Sequence, residues 1–145
     1  MGAIESLLNI KRWSEDEAKQ KLALVLKELD AEENRLLGLE EQYGEGAMKF
    51  DSASNELIDI AEIKRLNYYL EHILGGIQRQ KEVVRLKETQ VETARKALEE
   101  ASKEKKTFEK LDEKQKKALS KEFKRKEQIG TDEHAGIRHA RRTRG

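Results

Sequence analysis

No proline occurs anywhere in the 145 residues. At the average usage near 5% a chain of this length would hold roughly seven, and each would break a helix interior by removing a donor and clashing with the preceding turn. Long uninterrupted helices follow. Composition narrows the choice further, because 41% of the residues are charged, 36% hydrophobic and only 5% aromatic. That is too little apolar material for an ordinary compact core, so it must be buried along a seam.

The sequence supplies two such seams. Taking Leu8 as position a, steps of seven give Leu8, Glu15, Leu22, Leu29, Leu36, Tyr43, Phe50 and Leu57 as one row. The d row reads Ile4, Lys11, Ala18, Val25, Glu32, Leu39, Gly46, Ala53 and Ile60. A second register gives Ile63, Leu70, Ile77, Val84, Val91 and Leu98 beside Leu66, Ile73, Gln80, Lys87, Ala94, Ala101 and Phe108. Both patterns are those of coiled coils.

Charge indicates how the seams meet. Residues 1–62 carry 15 acidic and 7 basic side chains, and residues 63–145 carry 14 acidic and 23 basic. Opposite arms of one chain favour pairing with each other over self-association. Between them, GEGAMKFDSASNEL offers a place to turn: Gly44 and Gly46 weaken helix, and Asp51, Ser52, Ser54 and Asn55 can cap a new start. The heptad crosses this stretch without a phase break, so a continuous rod pairing with a second chain is the alternative. The expected fold is all-α, an antiparallel coiled-coil hairpin over residues 1–128 with the second helix overhanging. Helix 1 is expected at about 3–48, a turn at about 49–56, helix 2 at about 57–128, and a flexible basic tail at 129–145. A tip near residue 53 sets Ile4 opposite roughly residue 102, which leaves an overhang of roughly 35 Å at ~1.5 Å per residue.

In that overhang, EKKTFEKLDEKQKKALSKEFKRKEQ at 104–128, the sparse apolar side chains Phe108, Leu111, Leu119 and Phe123 are wrapped in lysine. A lone helix of this kind needs a partner or frays. In the tail, Arg138, Arg141, Arg142 and Arg144 read as a solubilising end, and no nucleic-acid partner is expected.

Function classes fall away quickly. With no cysteine there are no disulfides or thiolate metal sites, which fits a reducing compartment. The longest apolar run, Leu22–Leu26, is far short of the roughly 20 residues that cross a bilayer, and the start lacks a signal-peptide core. A cytoplasmic location is expected. No phosphate-binding loop, nucleophile elbow or paired-histidine helix motif is present; His72 stands alone, and His134 and His139 fall on different helix faces. No enzyme activity, cofactor or metal is expected.

One stretch breaks the charged pattern. In LNYYLEHILGGIQRQ, residues 66–80, two tyrosines and several aliphatic residues crowd around Gly75 and Gly76. Packing near the tip, with the glycines marking a kink, is one account of it.

Taken with the charged helix 104–128 and the following Thr131-Asp132-Glu133-His134 element, this chain resembles the flagellar export protein family FliJ over nearly its whole length. The family continues its helix with larger residues where this chain has Gly130-Thr131. The resemblance implies a non-enzymatic component of the flagellar type III export apparatus, similar in shape to the two-helix stalk of a rotary ATPase. Implied partners are the hexameric export ATPase FliI, the export gate protein FlhA and export chaperones. The implied location is the cytoplasm, peripheral at the inner face of the cell membrane. Carried over position by position, the resemblance implies a gate-binding surface at Tyr69, Ile73, Gly76 and Gln80, with glycine and glutamine where alanine and histidine are common. The overhang stripe Phe108, Leu111, Leu119 and Phe123 is the expected ATPase contact. The corresponding stalk of a virulence-type secretion system and a generic coiled-coil scaffold are the alternatives.

Overall fold

The computed structural model describes residues 2–55 and 59–144. Two helices account for nearly all of them, α1 at Ala3–Asn55 and α2 at Ile60–Arg144. The chain forms two compact units, Asp16–Glu100 and Met1–Glu15 with Ala101–Gly145, and both helices contribute to each.

In the unit Asp16–Glu100 the helices run antiparallel, and the heptad rows are the residues they bury. Val25, Val91 and Ala94 form a buried cluster with Leu22 and Leu29 packed against it. Ala53, Leu70, Ile73, Ile77 and Val84 are also less than a tenth exposed. Fully burying an aliphatic side chain of this size contributes roughly 1.5–3 kcal/mol, so this seam supplies the driving force that helix propensity lacks. Its polar positions are paired. Gln80 Nε2 donates to the backbone oxygen of Glu32 at 2.9 Å and to its Oε2 at 2.6 Å, and Lys87 Nζ donates to Glu28 Oε2 at 2.9 Å.

In the other unit α2 also runs beside α1. Leu8 is 1% exposed, and Glu15, though charged, is only 5% exposed. Ser102 Oγ donates to Glu15 Oε2 at 2.8 Å and Lys105 Nζ to its Oε1 at 2.9 Å. An unpaired buried carboxylate would be costly; these donors make it a polar layer that resists slippage of the seam. The hydrogen bond to Glu15 raises the Lys105 pKa above its ordinary value.

The turn differs from the expected one. Residues 49–55 are helical, and α1 carries its seam through Phe50 and Ala53. Glu56, and the expected start of helix 2 at residue 57, lie outside the described residues. Pairing shows the shift: Lys87 meets Glu28, where a tip at 53 would set roughly residue 78. The midpoint of the hairpin therefore falls between Asn55 and Ile60.

Three local causes explain the difference. Gly46 belongs to the seam: a Cβ built on it would lie 2.9 Å from Leu70 Cδ2 and 3.3 Å from Tyr69 Cε1, so its small size permits close helix packing while its backbone stays helical. Ser54 lies within α1, where its Oγ donates to the Phe50 carbonyl at 2.9 Å. The start of α2 is capped instead by Asp59, whose Oδ1 accepts from the Ala61 N–H at 3.3 Å. Ile60, the last residue of the first d row, is 70% exposed and lies outside the seam.

The expected tail also differs, because α2 continues without interruption through Gly130 to Arg144. No side chain there demands another conformation, and Thr131 Oγ1 donates to the Glu127 carbonyl at 2.9 Å as helix interiors allow.

Candidate partner-binding surfaces

The stripe at 69–80 starts from helical spacing: steps of four, three and four keep Tyr69, Ile73, Gly76 and Gln80 on one side of α2. Packing then divides them. Ile73 is 7% exposed and belongs to the core, and Gln80 is occupied by Glu32. Tyr69 is 45% exposed, with one ring edge against Gly46. Gly76 is half-buried, and a Cβ built on it would make ordinary contact with Leu39 Cδ2 at 3.9 Å. What the stripe leaves at the surface is thus a tyrosine and a small step in the helix, resting on a paired seam.

On the opposite flank of the same pair, a groove is lined by Tyr43, Ala47, Phe50, Asn67, Leu70 and Leu74. Leu74 is 42% exposed there. The alternating rows say which residues pack, and these flanking positions are what remains visible.

The second surface is the part of α2 that extends past the start of α1. Gly2 lies near Gln115, 3.9 Å from its Oε1 to a Cβ built on the glycine, and beyond this point α2 has no α1 residue beside it. Leu119 and Phe123, four residues apart and so on one face, are 63% and 64% exposed. Leu111 is also exposed. Phe108 differs from the expectation of an unpaired stripe: it is half-buried, and the Lys11 ammonium sits 5.6 Å from its ring centroid. Lys11 also bonds Glu104 at 2.9 Å, so Phe108 is the last aromatic of the paired region and the free stripe begins after it. Cation–π contact of this kind adds modestly to the packing.

Sequence reasoning placed Glu15, Glu32, Lys11 and Lys87 on the seam rows without identifying what satisfies them. Charged residues at a and d positions were the available signal; their partners, Ser102 and Lys105 for Glu15, Gln80 for Glu32, Glu104 for Lys11 and Glu28 for Lys87, emerge only once the register is known. The exposed Trp13 and Leu7 on α1 carried no periodic signal. Among the described residues no cluster of histidine, aspartate and glutamate could hold a metal ion, and no helix is long and apolar enough to cross a membrane.

Compared with known proteins, residues 1–144 match the family model described as Flagellar FliJ protein. No individual curated protein and no solved structure matches the chain.

Proposed function

The chain belongs to the flagellar FliJ family, and on that premise we propose that it is the stalk and adaptor that links the flagellar export ATPase FliI to the export gate protein FlhA and escorts export chaperones. Membership itself makes it a flagellar export-related stalk protein of a non-enzymatic family. In the proposed role it works in the cytoplasm, reaches the inner face of the cell membrane only through its partners, and carries out no catalysis. The gate docks on the flank of α2 at Tyr69 and Gly76, with Ile73 and Gln80 holding that flank in place from within the seam. Leu119 and Phe123 face the ATPase, with Leu111 at the edge of that surface and Phe108 anchoring its base.

One observation supports this reading most directly: an aromatic and a helical glycine, two turns apart on one flank of α2, stand at the edge of a seam whose neighbouring positions are buried or bonded. A spacer needs no such step. The family match is to the flagellar family, which favours the flagellar over the virulence-type role.

The test is co-purification of the full chain with FliI and, separately, with the cytoplasmic part of FlhA. Tyr69→Ala and Gly76→Leu are expected to lose FlhA while retaining FliI and the parent's helix content. Retention of FlhA by both variants would remove the stripe from the gate interface. A wild-type chain that binds neither protein would overturn the adaptor reading.

A further inference from the structure

Charge along the two helices is not distributed as a closed pair requires. Residues 3–55 of α1 hold twelve acidic and seven basic side chains. Residues 60–112 of α2, the stretch that runs beside α1, hold ten acidic and twelve basic, close to balance. Residues 113–144 hold five acidic and eleven basic. Most of the basic surplus therefore lies where α1 does not reach.

The seam itself does not stop there. The two heptad rows that carry Val91, Ala94, Leu98 and Phe108 continue in step as Gln115, Leu119, Glu122, Lys126 and Ile129. Phe123 stands beside Leu119. Leu119, Phe123 and Ile129 are 63%, 64% and 47% exposed, so this is the seam surface of α2 with its second helix missing. Some of its charges are used locally: Lys116 pairs with Asp112, Lys117 with Glu113 and Arg125 with Glu122. Lys121, Lys124 and Lys126 form no ion pair among the described residues.

We propose that the overhang of α2 takes an acidic amphipathic α-helix from a partner protein, laid along Leu119, Phe123 and Ile129 as a continuation of the position α1 occupies. This rests on the reading that the overhang is a partner-binding surface and adds the kind of element that binds it. Continuity with the established seam supplies the geometry, since a helix at the same spacing meets the same a and d rows. Charge supplies the sign: an acidic helix neutralises the lysines, whereas a second copy would bring one basic overhang against another. A bilayer is a poorer occupant, because Glu122 and Lys126 interrupt the apolar row at the positions a lipid-facing stripe would need.

The experiment uses the full chain and a fluorescent peptide of about three heptads, long enough to hold helix when bound, with leucine at a and d and glutamate at e and g. A counterpart with lysine at e and g is the control. Anisotropy is expected to show the acidic peptide binding at least about tenfold more tightly, with the difference shrinking as salt rises. The double variant Leu119→Ser, Phe123→Ser should lose at least about tenfold with unchanged helix content. The triple variant Lys121→Glu, Lys124→Glu, Lys126→Glu should reverse the preference between the peptides. Equal binding of the two peptides, or binding indifferent to both sets of substitutions, would overturn the proposal, as would dimerisation through the overhang or preference for vesicles of anionic phospholipid. FliI co-purification with the same proteins separates the levels: a wild-type chain that holds FliI but not the acidic peptide refutes this inference and leaves the stalk reading standing, and one that fails to hold FliI refutes the latter whatever the peptide does.

Discussion

The segments 70–94 and 116–142 of α2 are both helical, both highly charged and continuous in heptad register, yet one is a core strip and the other is bare. In the first, every seven-residue step lands on a side chain covered by α1: Leu70, Ile73, Ile77, Val84, Val91 and Ala94 are all buried. In the second, Leu119, Phe123 and Ile129 stand exposed. Helical periodicity creates the capacity to bury a face, and only a partner converts that capacity into stability. The same comparison explains where polar residues are tolerated. Gln80 and Lys87 sit on the seam because Glu32 and Glu28 meet them, whereas Lys126 occupies an equivalent row and keeps its charge in water.

Hydrogen exchange should show the contrast most strongly. Backbone amides of 70–94 are expected to exchange more than about a hundredfold more slowly than those of 116–142, because opening the first costs the seam and opening the second costs only local helix. Similar protection in an isolated monomer would mean that the overhang has a partner within the chain.

Placing a charge in each region sharpens the point. Val91→Asp puts a carboxylate into the apolar cluster of Val25 and Ala94, and a loss of about 3–5 kcal/mol is expected in urea unfolding. Phe123→Asp should leave the transition midpoint nearly unchanged.

Glycines offer a finer comparison. Gly46→Val forces side-chain atoms toward Leu70 and Tyr69, and overpacking of this kind costs about 1–3 kcal/mol. Gly130 has open space around a built Cβ, so Gly130→Ala should raise helix content, in line with the roughly 1 kcal/mol advantage of alanine in a helix. Circular dichroism at several temperatures distinguishes the two. If Gly46→Val melts at the parent's temperature, the close approach at Gly46 is not a packing constraint.

The smallest effect concerns pH. The pKa of Lys105 is raised by its hydrogen bond to Glu15, so its stabilising contribution is complete below the ordinary lysine value near 10.4 and is lost as pH rises through the folded-state value. The melting temperature should therefore fall on the alkaline side, and the fall should be shallower in Lys105→Met. Identical alkaline limbs in both proteins would show that the pair contributes nothing to stability.

Much of this architecture could be read from residues alone, for definite reasons. The absence of proline and the seven-residue rows required long helices with one apolar seam, since period and backbone geometry are local properties. The buried and half-buried positions of α2 include both rows from Ile63 to Phe108, and the row ending at Leu98 continues through Lys105 and Asp112. The same rows put Ile73 and Gln80 in the seam and left Tyr69 and Gly76 beside it. Sequence could not locate the turn. Gly44, Gly46 and Ser54 carry breaker and capping chemistry, but packing of Gly46 beneath Leu70 and Tyr69, together with burial of Ala53, stabilises continued helix by more than those propensities oppose it. Nor could it place Phe108 under Lys11. Those outcomes depend on which residue of α1 stands opposite which residue of α2. Register is a non-local choice, made by the sum of buried side chains and matched polar layers such as Glu15 with Ser102 and Lys105, and it exists only once the two helices are packed.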